Sequence, residues 1–186
     1  MKYNGKIHHR RSLRLREYDY SRPGAYFVTI CTQDRKCLFG SVVNSEMQPN
    51  DSARSAQSIW YDLPSRFPQV RLDQFVVMPN HIHAVIFVGA QFIAPTGSSN
   101  TVQTGAINRA PTLGEIVRTY KAISTRTIRR TGCAQFRWQR NYYEHIIRDE
   151  NSLDRIRQYI VDNPIRWDID GENPAAMTPE PKEAWR

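Results

Sequence analysis

Val70-Arg71-Leu72-Asp73-Gln74-Phe75-Val76-Val77-Met78-Pro79-Asn80-His81-Ile82-His83-Ala84-Val85-Ile86-Phe87-Val88 reads as two strands joined by a turn. The runs 70–78 and 82–88 are apolar enough for a sheet, and Pro79-Asn80 favours a turn between them, so the two form an antiparallel hairpin. Alternate residues of a strand point to one face, so His81 and His83 project together while Ile82 faces the other side. Two imidazoles side by side are half of a metal site. A His-x-His pair on a strand is more often a surface or packing pair. Here both histidines open an apolar strand beside the turn, in a chain with only five histidines.

Working outward, Arg22-Pro23-Gly24 is a turn and 25–32 a β-branched and aromatic strand. A weaker strand covers 37–43. A helix over 51–63 starts at Asp51 or Ser52 and stops at Pro64. Thr112 caps the next helix, with Glu115 three residues on as in a capping box, and its apolar side runs Leu113, Ile116, Val117, Tyr120, Ile123, Ile128. The segment 136–147 is strand or irregular. Leu153, Ile156 and Ile160 then mark a helix over 150–163, stopped by Pro164. This order predicts an α+β fold, an antiparallel sheet with helices packed on a face, in one domain without internal repeats. The domain spans 21–168, between a basic arm at 1–20 and a tail at 169–186. Residues 90–111, rich in Gly, Ser, Thr, Asn and Pro, form a long insert expected to be mobile or functional.

The 186 residues carry 26 Lys plus Arg against 18 Asp plus Glu, a net charge of +8 that predicts a polyanionic partner, nucleic acid or an anionic membrane. With 40% hydrophobic and 11% aromatic residues the chain is no disordered polycation. No stretch approaches the roughly 18 apolar residues that span a bilayer, and 1–16 has no apolar core for a secretory signal. Cys31, Cys37 and Cys133, odd in number and without zinc-ligand spacing, fit a reducing cytoplasm.

Tyr159 and Asn163 are i,i+4 neighbours at the edge of the last helix's apolar face. A boundary tyrosine and a helix-terminal asparagine are the commoner reading of such a pair. If the helix lies against the histidine face, a phenol nucleophile and an amide-oxygen ligand meet the two imidazoles; Tyr142 and Tyr143 are the rival nucleophiles. Arg10, Arg14 and Arg16 of the arm, Arg118, Lys121 and Arg126, and Arg140 near Trp138, Tyr142 and Tyr143, are candidates for gripping phosphates, with the aromatics stacking on bases. Arg129 and Arg130 read equally well as a solvated helix face. There is no Walker A loop, GxGxxG or nucleophile elbow, and His145 beside Glu144 has no support as an acid–base pair.

Tyr26-Phe27-Val28-Thr29-Ile30-Cys31 after a Pro-Gly turn, Val77-Met78-Pro79-Asn80-His81-Ile82-His83 and Tyr159-Ile160-x-x-Asn163-Pro164, in that order, resemble the REP-associated tyrosine transposases, single-tyrosine nucleases of the His-hydrophobic-His (HUH) class. The resemblance covers roughly 18–167. It implies a ferredoxin-like sheet and a divalent metal, Mg²⁺ or Mn²⁺, held by His81, His83 and Asn163, where many relatives use Gln. It also implies Tyr159 as the nucleophile that forms a 5′-phosphotyrosine on single-stranded DNA. The implied substrate is a palindromic repeat hairpin, cut and rejoined in the cytoplasm at the nucleoid by a monomer or homodimer. The alternatives are a non-catalytic hairpin-binding protein on the same fold and a replication-initiator-type nuclease that nicks an origin.

Overall fold

The computed structural model describes residues 23–89, 111–181 and 185. The arm at 1–20, with Arg10, Arg14 and Arg16, and nearly all of the 90–111 insert lie outside the described residues. In chain order the elements are β1 (Gly24–Cys31), β2 (Gly40–Val43), β3 (Glu46–Pro49), α1 (Asp51–Tyr61), α2 (Leu63–Arg66), β4 (Val70–Val77), β5 (His81–Val88), α3 (Leu113–Arg130), β6 (Tyr143–Ile147) and α4 (Glu150–Asp162).

β5 and β1 are the central strands because both of their faces are apolar. They pair antiparallel over their full length, from Gly24 opposite Val88 to Cys31 opposite His81. β4 flanks β5 and β6 flanks β1, both antiparallel, which gives the order β4-β5-β1-β6. Taken with α1 and α3 as the crossover helices, this is the βαββαβ order of a ferredoxin-like sheet.

The period of two sorts side chains into two layers. Tyr26, Val28, Ile30, Ile82, Ala84 and Ile86 point into the larger core, where Trp60 of α1 meets Tyr120 of α3 edge to face at 5.1 Å. Phe27, Val85 and Ile147 point the other way, into a smaller core closed by Leu153, Ile156 and Ile160 of α4 and by Trp185. His83 belongs to this second face, against Phe27. Ile82 therefore anchors the strand while its neighbours remain available for chemistry.

α4 is oriented by a charged clamp. The ladder between β4 and β5 shifts register between Leu72 and Phe75, and Asp73 at this irregularity receives Arg157 in a fork: Nε to Oδ1 at 2.9 Å and Nη2 to Oδ2 at 2.7 Å. Arg157 lies two residues before Tyr159, so the clamp sets the rotation of the helix that carries the phenol.

Local details depart from the sequence reading in three places. The strand expected over 37–43 is a hairpin, β2 with β3, turned by Asn44 and Ser45, both with positive φ (49° and 64°). The cap of α1 is Asn50, whose side chain accepts from the Ala53 N–H and donates to the Leu38 carbonyl. Pro64 does not end the helical path but sits in the first turn of α2, where its missing N–H costs nothing.

Candidate metal and tyrosine site

The tight turn Met78-Pro79-Asn80-His81, closed by the Met78 N–H donating to the His81 carbonyl at 2.8 Å, sets the start of β5. Both imidazoles then lie on the α4 side of the sheet, fully buried, with ring centroids 4.4 Å apart. Each is fixed through Nδ1. The Asn80 side-chain nitrogen donates to the carbonyls of Arg35 (3.1 Å) and Glu172 (2.7 Å), so its oxygen is the atom that faces His81 Nδ1 at 2.8 Å. An amide oxygen only accepts, so His81 carries its proton on Nδ1 and presents a bare lone pair at Nε2. His83 Nδ1 meets the Thr29 hydroxyl at 2.9 Å, a group that can accept from or donate to the ring.

Four buried polar atoms at this place have no hydrogen-bond partner: His81 Nε2, His83 Nε2, Asp170 Oδ2 and Asn163 Oδ1. Orphaned buried acceptors are costly unless something meets them. The ligand atoms of His81, His83 and Asp170 lie within 4.8 Å of one another, with His81 Nε2 3.7 Å from Asp170 Oδ2. Two imidazole nitrogens, a carboxylate and an amide oxygen make a donor set that fits a divalent cation, and among the described residues no hydrogen-bond partner meets these atoms. Burial pushes His81 down to about 3, helped by the nearby Arg35 charge and opposed by the Asn163 side chain. Burial likewise drives His83 well below its ordinary value, with the adjacent His81 adding to this and the Asp170 carboxylate opposing it. Both rings are therefore neutral, the form that ligates.

Tyr159 reaches the site from α4. Its ring lies 5.3 Å from that of His83 and 6.1 Å, edge on, from that of Phe27. Burial raises the phenol above its ordinary value, with the carboxylates of Asp170 and Glu180 adding and the Arg166 guanidinium opposing. Asn163, one turn on, is the C-cap of α4 and 1% exposed. One chain thus supplies the histidines, the phenol and the carboxylate.

The roof is the segment after α4. Glu180 donates its N–H to the Ile169 carbonyl at 2.7 Å and its carboxylate pairs with Arg166. The Glu172 carboxylate takes Arg35 at 3.0 Å and the Cys31 thiol at 3.4 Å. Beneath it a cavity of about 40 Å³ is lined by Thr29, His83, Tyr159, Asp170, Glu172 and Glu180, among others.

Of the rival tyrosines, Tyr143 also lines this cavity, whereas Tyr142 lies under the Lys121 ammonium at 5.6 Å. Lys121 donates to the carbonyls of Gln139 and Asn141, both at 2.8 Å, and desolvation lowers it to about 8. Arg118 and Arg126 are exposed on α3, in the layer across the sheet from Tyr159, and Arg140 is exposed in the segment before β6. These four are not brought together with the histidines. Asp170, Asn80 and Thr29 were missed by sequence reasoning. Asn80 alone had a local signal, as the residue between the turn proline and the first histidine.

In the comparison with solved structures, the fold is that of a REP-associated tyrosine transposase solved bound to a REP hairpin: TM-score 0.54 at 19% identity, over 84% of this chain and 74% of that one. The chain belongs to one family with an uncharacterized protein of Haemophilus influenzae, 45% identical over 175 residues that span 91% of this chain and 96% of that protein. No protein-family model matches the chain. Among the described residues no helix is long and apolar enough to cross a membrane.

Proposed function

We propose that the chain is a metal-dependent endonuclease and strand transferase that acts on single-stranded palindromic repeat hairpins through a 5′-phosphotyrosine on Tyr159. The carrying observation is the convergence, in one chain, of two buried imidazoles, a buried carboxylate with one oxygen unpartnered, and a half-buried phenol 5.3 Å from the second imidazole. A ferredoxin-like fold shared with a transposase solved on hairpin DNA, and a net charge of +8, support the choice of substrate.

His81, His83 and Asp170 would hold the cation, with Asn163 as a fourth donor. When bound, Mg²⁺ or Mn²⁺ supplies Lewis acidity at a non-bridging phosphate oxygen, and the two nitrogen donors suit Mn²⁺ at least as well as Mg²⁺. The remaining chemistry belongs to the chain. Phe27 and the Asp73–Arg157 clamp hold the phenol at the cavity, and burial keeps it protonated at rest. In reaction the Tyr159 oxygen forms a bond to phosphorus as the bond from phosphorus to the 3′-oxygen breaks. Overall, the phenolic proton is exchanged for one on the departing oxygen, leaving a free 3′-OH. Reversal by a 3′-OH rejoins strands, and because the phosphodiester energy is conserved no nucleotide cofactor enters. Arg118, Lys121, Arg126 and Arg140, with Arg10, Arg14 and Arg16 of the arm, are the candidate contacts to the hairpin. On this reading the enzyme works on DNA in the cytoplasm, at the nucleoid.

The test is incubation of a labelled single-stranded hairpin with Mn²⁺ or Mg²⁺, followed by denaturing gels. The wild type and the Tyr142→Phe and Tyr143→Phe variants form a covalent adduct; Tyr159→Phe, His81→Ala and added EDTA abolish it. An undiminished adduct in Tyr159→Phe refutes the reading. Hairpin binding that survives EDTA with no adduct from any variant supports a non-catalytic binding protein instead.

A further inference from the structure

We propose that Arg35 and Arg166 are the groups that grip the phosphates on either side of the reacting bond, and that the carboxylates of Glu172 and Glu180 stand in for those phosphates in the DNA-free chain. The inference rests on the function proposed above and deepens it.

The argument begins with space. The cavity over His83 and Tyr159 measures about 40 Å³, and on that measure a single water needs about 10–15 Å³, so it has room for a few waters. A sugar–phosphate strand cannot enter it. For Tyr159 to meet a phosphodiester, the roof that carries Glu172 and Glu180 must move, and both carboxylates go with it.

What that motion uncovers is specific. Arg35 lies beside His81, with its Nε 3.0 Å from Glu172 Oε2 and its Nη1 donating to the Gly171 carbonyl at 3.4 Å. Arg166 lies 6.0 Å from the Tyr159 ring and pairs with Glu180. One guanidinium thus stands at the metal-ligand end and the other at the nucleophile end, each about one-third exposed. Guanidinium forks bind carboxylate and phosphate by the same planar geometry, so a strand offering two phosphates can replace the two carboxylates.

The backbone under Arg35 is a second, independent sign. Asp34 and Arg35 both adopt left-handed conformations, with φ of 57° and 53°. Consecutive non-glycine residues in that region cost free energy and persist where the surroundings over-determine them. Here the Asn80 side chain, which also orients His81, holds the Arg35 carbonyl. One residue therefore touches both the strained turn and the first metal-ligand histidine. The other side of the same turn opens onto a groove of about 920 Å³ lined in part by Gln33, Asp34, Lys36, Arg129 and Arg137, a basic route for a strand that continues past Arg35.

The experiment measures binding of a fluorescein-labelled single-stranded oligothymidylate in EDTA across a salt series, together with adduct formation on the hairpin in Mn²⁺. Arg35→Gln and Arg166→Gln are each expected to weaken binding about tenfold and to reduce the slope of log affinity against log salt by about 0.7. The Glu172→Gln/Glu180→Gln variant is expected to bind more tightly and to form adduct faster. Wild-type-like salt slopes in both arginine variants, or unchanged binding in the double glutamine variant, overturn the proposal while wild-type adduct on Tyr159 leaves the parent reading standing. Absence of the adduct in the wild type overturns the parent reading, and this proposal with it.

Discussion

Replacing Asn80 by alanine removes a fully buried side chain that serves three partners. The carbonyls of Arg35 and Glu172 lose donors at 3.1 and 2.7 Å, and His81 Nδ1 loses its acceptor at 2.8 Å. A buried polar group left without a partner costs about 1–3 kcal/mol, and because water can enter part of the space the three together are expected to cost about 3 kcal/mol. With a urea dependence of roughly 2 kcal/mol per molar for a chain of this size, the denaturation midpoint falls by about 1.5 M. Loss of the acceptor also frees the His81 tautomer, so Mn²⁺ affinity by calorimetry is expected to drop about 10- to 100-fold. Asn80→Asp separates the two effects: it keeps an acceptor for His81 but offers no donor to either carbonyl. Its stability should fall as far as that of Asn80→Ala, and its metal affinity less. A midpoint shift below about 0.3 M in Asn80→Ala, with wild-type metal affinity, would refute the reasoning.

Two further outcomes concern the frame around the site. Hydrogen bonds from Arg157 hold the Asp73 carboxyl below its ordinary value, so the native state binds fewer protons than the unfolded one in acid, and this contribution is present above the unfolded pKa and lost as pH falls. Asp73→Asn is expected to cost about 1–2 kcal/mol at neutral pH and to flatten the acid limb of a urea-midpoint titration; an unchanged acid limb counts against the clamp. Lys121 is shifted the other way from stabilisation by charge, since desolvation brings it down to about 8. Its unfolded form keeps the proton up to its ordinary value near 10.4, so stability gains a contribution as pH rises through that interval. Lys121→Met should lack this gain relative to wild type, and parallel profiles from pH 8 to 10 would contradict it.

The parts of this molecule that were legible in the sequence are those governed by short periods. Strand alternation put His81 and His83 on one face with Ile82 opposed, and the layers of the sheet agree. The i,i+4 spacing placed Tyr159 and Asn163 on one stripe of α4, where Asn163 is buried and Tyr159 is half-buried against the core of Ile156 and Ile160. Asp170 was not legible, because its arrival beside His81 depends on how the chain folds back after α4, a contact between residues nearly ninety apart with no periodic pattern behind it. The same holds for Glu172, which meets Arg35 from the far end of the domain. The left-handed turn at Asp34 and Arg35 carries no glycine to announce it. By contrast, the Asn44-Ser45 turn had a usable signal, an asparagine tolerant of positive φ between two short extended runs.

The most direct measurement is tandem mass spectrometry of the protein after reaction with a hairpin oligonucleotide in Mn²⁺, nuclease trimming and proteolysis. A nucleotide remnant on Tyr159 is the predicted result. A remnant on Tyr143, which lines the same cavity, or on any other residue would contradict the account, as would a chain that binds the hairpin and carries no remnant at all.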